Sequence, residues 1–396
     1  MVLSWLVAVL VVGVVLALLV VLGLLVFQER LVYVPDIGEP PLVPEQLGFV
    51  AGESYEDAVV PTPDGERLHG VLFRARAVVA GLRAGEPLRT EAVRRTPTLL
   101  WLHANAGSLV SRLPAVRAVV AQVRCNVFIV DYRGYGASTG TPSEAGLQTD
   151  GAAALRWLRA RRDIDAAKIV VFGRSIGGAV ALHLATDPAT ATAFGALLLE
   201  NTFTTLPDLA RALLPRPLRP LARHARSQWR SIDRVRAHGV RVPTMFFAAV
   251  HDEMVPHAHM RALSDAARAH SAPALRPRIA MRTFLRGGHM TLPDANLMYH
   301  SWLHDWLADV FPDTLAPLSP EAQAQLTLFS RRRCPCSSRP LAHSASSEEA
   351  SATDASPESS LRARGPPTDP EQQQQQQQQQ HSDDEEESEE DKDKDE

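Results

Sequence analysis

The chain has 396 residues, a formal net charge of −4 at pH 7 and 45% hydrophobic residues. This length exceeds the needs of one ordinary domain, so part of the chain is expected to lie outside the globular fold. The cysteines Cys125, Cys334 and Cys336 do not form an even disulfide framework. No basic domain or known nucleic-acid-binding module occurs, which argues against a nucleic-acid partner.

The N-terminal segment 2–27 carries no charged side chain. A bilayer span needs about 20 apolar residues, whereas the apolar region of a cleaved signal peptide has only about 7–15. We therefore predict an uncleaved, single-pass transmembrane signal-anchor helix over residues 1–30, with the aromatic rings of Trp5 and Tyr33 near the two membrane surfaces. Arg30 alone does not decide which side the domain faces.

A proline-rich linker is predicted over residues 31–49, followed by an α/β domain over 50–315 that begins with a β-hairpin at 57–74. Buried strands are then predicted at 98–102, 126–130, 168–172, 195–199, 244–249 and 279–285. Helices are predicted between and after them, at 110–121, 143–161, 176–185, 258–269 and 296–310. This alternation predicts a mostly parallel sheet with helices on both faces, and such sheets bind ligands at the carboxyl ends of their strands.

The strongest motif in the chain is G-R-S-I-G at residues 173–177, which follows an apolar strand and precedes a helical stretch. This context is typical of a nucleophile elbow, a turn so tight that the residues flanking the serine must be small. We therefore predict that Ser175 is a nucleophile and that the N–H of Ile176 is an oxyanion donor. The alternative is a glycine-rich turn with an ordinary exposed serine.

A serine nucleophile needs a base, and the base needs an acid that orients it. Asp252 follows an apolar strand, and His289 follows a Gly-Gly turn near the end of the domain, which gives the order Ser, Asp, His. Glu253 is the alternative acid. Three other histidines are expected to be solvated: His251, His257 and His259. No metal-binding motif occurs, and we expect neither a metal nor a cofactor.

The second oxyanion donor is predicted in the oxyanion loop, residues 103–107, which follows the strand at 98–102. We assign this role to the N–H of Asn105. Ala104 stands where many hydrolases have glycine, and His103 is expected to support the loop rather than to catalyse. Asp131 and Arg133, in the loop at 131–138, are likewise expected to stabilise loop structure.

Five motifs together resemble the α/β-hydrolase-domain serine hydrolases, which include single-pass membrane-anchored members. They are H-A-N-A-G (103–107), R-L-P (112–114), D-Y-R-G-Y-G-x-S (131–138), G-R-S-I-G-G-A-V (173–180) and E-N-T-F (200–203). The resemblance implies an α/β-hydrolase fold and a triad of Ser175, Asp252 and His289. Ala249 replaces a glycine of the wider pattern, and residues 75–97 resemble an inserted surface loop. Relatives act on acylated proteins and on lipids, so the substrate stays open.

Residues 204–230, here called the cap, interrupt the alternation with leucines, six arginines and the helix-breaking Pro215, Pro217 and Pro220. One interpretation is a small helical lid that shapes an apolar acyl pocket and lays its arginines on anionic lipid headgroups. The other is a solvated basic face.

The tail at 316–396 is predicted to be disordered, because it lacks apolar periodicity and contains nine glutamines at 372–380 and an acidic end. Cys334 and Cys336 follow three arginines, so they are either S-acylated or a cysteine pair of no consequence. Partners of the tail are unknown.

The sequence as a whole predicts a membrane-anchored serine hydrolase that cleaves an ester or thioester of an acyl-lipid or acyl-protein. A serine peptidase or small-ester hydrolase is the alternative within the same class. The alternative of another class is a catalytically idle membrane scaffold that holds a partner through its acidic tail.

Overall fold

An eight-stranded sheet is the framework of the computed structural model, which describes residues 2–35, 37–38, 42–83 and 94–314. The strands are β1 (Tyr55–Pro61), β2 (Arg67–Phe73), β3 (Thr98–Leu102), β4 (Asn126–Val130), β5 (Ile169–Arg174), β6 (Ala196–Glu200), β7 (Thr244–Ala249) and β8 (Ile279–Phe284). Their order in the sheet is β1-β2-β4-β3-β5-β6-β7-β8. β2 is antiparallel to β1 and β4, and the other neighbours pair in parallel.

Helices pack on both faces of this sheet, as the alternation of apolar segments predicts. The helices are numbered in chain order as α1 (Val2–Val26), α2 (Gln28–Val32), α3 (Arg76–Arg83), α4 (Leu113–Gln122), α5 (Glu144–Ala160), α6 (Ile176–Thr186), α7 (Leu206–Leu213), α8 (Ser231–His238), α9 (His257–His270), α10 (Leu292–Ala295) and α11 (Tyr299–Val310). Buried residues of α5, α6, α8 and α9 form one core cluster, and those of α4 and α11 form the other. The predicted α/β-hydrolase fold is therefore confirmed.

Besides the four-residue α10, two helices lie where the sequence did not predict them. Arg76–Arg83 is helical inside the region that resembles a surface loop, because Ala75 and Val78 pack into the domain and fix its start. Ser231–His238 has only two large apolar residues, Ile232 and Val235, too few for a periodic signal, yet both are buried.

Described residues of the predicted linker pack into the domain. Tyr33 was expected at the membrane surface, but its side chain is only 2% exposed and belongs to the larger core cluster. Val34 forms a parallel bridge with Ala106, and Phe49 is buried in the second cluster. Tyr33 is buried because it packs against residues distant in the chain, and its position beside an apolar run does not reveal them.

Helix α1 carries the candidate membrane span. Among the described residues, Ser4–Gly23 is the one helical stretch long and apolar enough to cross a bilayer, and it is not buried against the domain. Residues 315–396 lie outside the described residues, and with them the predicted disordered tail, its glutamine run, its acidic end and Cys334 and Cys336.

Candidate active site

Ser175 occupies the turn between β5 and α6, in a backbone conformation that few residues adopt. Its φ is 55° and its ψ is −120°, and such strain persists only where the surroundings enforce it. The flanking glycines explain how the turn closes. A Cβ on Gly173 would collide with the backbone of Gly177, and a Cβ on Gly177 would collide with the carbonyl of Leu102. The turn therefore requires small residues on both sides of the serine.

Asp252 and His289 form a buried pair on the loops that follow β7 and β8. Nδ1 of His289 lies 2.8 Å from Oδ2 of Asp252, and their side chains are only 3% and 1% exposed. The other carboxylate oxygen accepts the backbone N–H groups of Met254 and Val255 at 2.8 and 2.7 Å. These bonds fix the carboxylate so that it can orient the imidazole and stabilise its positive charge.

Two residues outside the predicted triad support His289. The side chain of Glu253, the alternative acid, accepts a hydrogen bond from the backbone N–H of His289 at 3.0 Å. Glu253 thus holds the main chain of His289, whereas the imidazole ring of His289 contacts Asp252. Asn201 donates to the carbonyl of His289 at 3.2 Å and accepts the N–H of Ala249 at 2.9 Å. The E-N-T-F motif drew attention to Asn201 in the sequence, but it did not indicate that Asn201 contacts His289 and Ala249.

Ser175 and His289 line the same cavity, together with the predicted oxyanion residues Asn105 and Ile176. Within the described part of the chain, the side chains of Ser175 and His289 do not hydrogen-bond each other. Such catalytic bonds are often long without substrate and tighten only when it binds. The carboxyl ends of β3, β5, β7 and β8 thus bring all five predicted site residues to one edge of the sheet.

Ile176 is the first residue of α6, so its N–H has no acceptor within the helix and is available to a ligand. Asn105 lies in the oxyanion loop, whose conformation depends on His103. The His103 side chain is fully buried, with Nδ1 2.7 Å from the carbonyl of Ala104 and Nε2 3.5 Å from Oδ1 of Asp131. Asp131 in turn accepts the N–H of Leu109 at 2.6 Å. These contacts fit the supporting roles expected of His103 and Asp131.

The remaining histidines near the acid differ in their surroundings. His251 is exposed, but His259 is half-buried, and its Nδ1 lies 2.8 Å from Oγ1 of Thr204 at the start of the cap. The expectation that His259 is solvated is therefore wrong, because α9 turns this side chain toward the cap. His257 is also half-buried and its Nε2 is shielded from solvent, so the same expectation is wrong for this residue. Burial lowers the pKa of His259 below its usual value. No group of three or more His, Cys, Asp or Glu within the described ranges is arranged to hold a metal ion.

The cavity above Ser175 has a volume of about 330 Å³ and is lined mainly by apolar side chains. The cap forms one wall through α7 and the 3-10 helix Arg216–His224. Five leucines of the cap line the cavity: Leu206, Leu209, Leu213, Leu214 and Leu221. A second wall comes from α2, the helix that follows the candidate membrane span. The cap arginines are all exposed: Arg211, Arg216, Arg219, Arg223, Arg226 and Arg230.

A buried ion pair lies next to the nucleophile. Nε of Arg174 is 2.6 Å from Oε1 of Glu200, and their side chains are 5% and 0% exposed. The hydroxyl of Tyr299 donates to the same carboxylate. The carbonyl of Glu200 also accepts the N–H of Ser175 at 3.0 Å. This cluster therefore links the strand end before the elbow to β6 and α11.

Comparisons with known proteins agree with this fold. The family model of the alpha/beta hydrolase fold matches residues 97–221. The Arabidopsis thaliana alpha/beta hydrolase domain-containing protein WAV2 is 37% identical over 282 residues, 67% of this chain and 82% of that protein. The uncharacterized membrane protein YNL320W of Saccharomyces cerevisiae is 32% identical over 170 residues, 43% of this chain and 59% of the yeast protein. The crystal structure of an alpha-beta hydrolase from Vibrio vulnificus has a TM-score of 0.51 at 18% identity, covering 66% of this chain and 86% of that one.

Proposed function

This chain belongs to the α/β-hydrolase-domain family, and we propose that it is a membrane-anchored serine hydrolase that cleaves an ester or thioester of an acyl-lipid or acyl-protein. The observation that carries the proposal is the buried Asp252–His289 pair, 2.8 Å apart, whose histidine shares one apolar cavity with the strained Ser175. A carboxylate that orients an imidazole beside a serine is the arrangement that activates a hydroxyl for acyl transfer.

In the proposed reaction, Oγ of Ser175 attacks the carbonyl carbon while His289 takes the hydroxyl proton. Asp252 keeps the imidazole in the correct tautomer and stabilises the imidazolium. The N–H groups of Ile176 and Asn105 bind the negative oxygen of the tetrahedral intermediate. His289 then protonates the leaving alcohol or thiol, and a water molecule, activated by the same imidazole, releases the acyl group from Ser175.

The substrate class is inferred from the cavity and its walls. Burying an acyl chain against apolar side chains is favourable by about 0.8 kcal/mol for each CH₂ group, so leucine-lined walls favour a long acyl group over a peptide. The exposed cap arginines support the lipid interpretation, because each basic side chain near an anionic bilayer contributes about 1 kcal/mol of attraction. Arg211 is partly neutralised by Asp208, which lies 2.8 Å away.

The test is fluorophosphonate labelling of the folded, detergent-solubilised full chain. Wild type should be labelled, and Ser175→Ala should not. Ser264→Ala is the matched control, because it removes a buried hydroxyl on α9 that makes no hydrogen bond in the described structure. Folded wild type that resists labelling would contradict the proposal and favour an idle scaffold.

A substrate panel then separates the acyl hydrolase from its alternatives within the same class. Long-chain thioesters, lysophospholipids, short esters and peptides should be compared with the wild-type chain and Ser175→Ala. The proposal expects long acyl substrates to have the highest kcat/KM. Turnover of peptides alone would refute the acyl-substrate assignment while leaving the serine mechanism intact.

A further inference from the structure

Residues 28–34, here called the juxtamembrane segment, connect the candidate membrane span to the active site by hydrogen bonds. The side-chain amide of Asn105 donates to the carbonyl of Val32 at 2.8 Å. The N–H of Val34 donates to the carbonyl of Asn105 at 3.3 Å, and the N–H of Gly107 donates to the carbonyl of Val34 at 3.0 Å. Three bonds thus hold the oxyanion loop, and they include both the side chain and the main chain of the predicted donor residue.

The same segment holds the end of the cap. Oγ of Ser227 lies 3.0 and 3.2 Å from the two carboxylate oxygens of Glu29. The hydroxyl of Tyr33 lies 2.9 Å from Oγ of Ser227 and accepts the indole N–H of Trp229 at 3.1 Å. Tyr33, Ser227 and Trp229 are all buried, so these bonds are shielded from water and from competing partners.

The segment also contributes directly to the cavity above Ser175. Gln28, Leu31 and Val32 line this cavity together with the leucines of the cap. Val32 is half-buried against the core, whereas Leu31 is exposed at the surface. One short segment therefore contacts the oxyanion loop, the cap and the space that a substrate would fill.

We propose that the juxtamembrane segment is a positioning element of the active site, which sets the oxyanion loop through Asn105 and sets the cap through Tyr33 and Glu29. The inference rests on the proposed serine-hydrolase function and adds residues that act through others rather than on the substrate. Its physical basis is that oxyanion stabilisation depends on donors fixed before the reaction, and a displacement of about 1 Å can lower a rate by about 100-fold.

The two sets of contacts should affect different kinetic constants. Asn105→Ala keeps the backbone N–H but removes the amide that holds Val32, so the donor should be less well fixed. We expect labelling by fluorophosphonate and kcat to fall roughly 10- to 100-fold, with little change in KM. Tyr33→Phe keeps the buried ring but removes its bonds to the cap. We expect it to raise KM for long-chain substrates several-fold and to leave kcat within about twofold of wild type.

Matched variants distinguish positioning from general damage to the fold. Glu29→Gln retains an oxygen that can accept from Ser227 and should behave like wild type, whereas Glu29→Leu should behave like Tyr33→Phe. Arg30→Gln is the control on the same helix, because Arg30 is exposed and its guanidinium lies 5.6 Å from the centre of the Phe27 ring. Melting temperatures report whether each full-length variant is folded. If Asn105→Ala does not fold, Asn105→Leu removes the amide donor at similar volume without adding a charge, and the same losses are expected.

Folded Asn105→Ala and Tyr33→Phe that match wild type in labelling, kcat and KM would overturn the inference. If Ser175→Ala still lost labelling in that case, the proposed function would stand without it. Equal losses of kcat in all variants, including Arg30→Gln, would likewise overturn the positioning role. Folded wild type that is not labelled would overturn the proposed function and this inference together.

Discussion

Replacing Glu200 with glutamine should destabilise the domain strongly, although Glu200 is not a predicted catalytic residue. Its carboxylate pairs with Arg174 at 2.6 Å and accepts the hydroxyl of Tyr299, and its side chain is 0% exposed. Glu200→Gln keeps the shape and still accepts a hydrogen bond. It removes the negative charge and leaves the guanidinium of Arg174 buried without its counter-charge.

The magnitude follows from this burial. Breaking a buried ion pair by removing one partner costs about 3–5 kcal/mol, because the remaining charge stays desolvated. In a domain of this size, each kcal/mol lowers the melting temperature by about 2–4 °C, so the expected decrease is roughly 6–20 °C. The surface pair of Asp208 and Arg211 is the matched control. Asp208→Asn should cost less than about 1 kcal/mol, since both side chains are about half exposed.

The assay is thermal unfolding of the detergent-solubilised full chain, with the double variant Arg174→Met/Glu200→Leu beside the single variant. The double variant should be more stable than Glu200→Gln, because replacing both charges by apolar groups leaves no unpaired charge. The reasoning would be refuted if Glu200→Gln melted like Asp208→Asn. It would also be refuted if the double variant were no more stable than the single one.

Three further outcomes are expected. Gly177→Ala should abolish fluorophosphonate labelling and lower the melting temperature. The new Cβ would collide with the carbonyl of Leu102 and lie 2.7 Å from the carbonyl oxygen of His103. Labelling of this variant at the wild-type level would contradict the close packing at Gly177. Leu213→Trp should narrow the cavity and raise KM for long-chain substrates but not for short esters. Leu285→Trp, a control at an exposed position, should change neither. Burial lowers the pKa of His300 from 6.5 to about 4. The unfolded chain therefore takes up this proton at higher pH than the native one, so stability is complete above about pH 6.5 and falls as the pH drops toward 4. The denaturant midpoint of His300→Phe should change less than that of wild type between about pH 7.5 and about pH 5; an equal change would contradict this role of His300.

The strand pattern and the elbow could be predicted from the sequence because their signals are local. Each buried parallel strand is a short apolar run, and β3, β4 and β7 occur at the predicted bounds. The strained turn at Ser175 requires glycines two residues away on each side, so a few adjacent residues encode it. Asp252 and His289 could be assigned from their positions after strands, because carboxyl ends of parallel strands meet at one edge of a sheet.

The supporting contacts could not be predicted, because nothing in local sequence pairs residues far apart in the chain. Arg174 and Glu200 each lie at the end of a strand, and only the pairing of β5 with β6 places them in contact. Likewise, Asn201 follows β6, and it contacts Ala249 at the end of β7 and His289 in the loop after β8. Helix α8 was missed because too few of its residues are apolar to produce a helical period.

The sequence by itself determined the fold class, the apolar N-terminal helix and the order of the proposed triad, all of which depend on composition and spacing along short segments. Only the tertiary structure decided that the segment after the candidate span contacts the oxyanion loop and the cap. Asn105 binds Val32 across 73 residues, and Tyr33 binds Ser227 and Trp229 across 194 and 196. Contacts at such separations arise when the sheet brings distant loops to one edge. The spacing of apolar residues along the chain cannot predict such contacts.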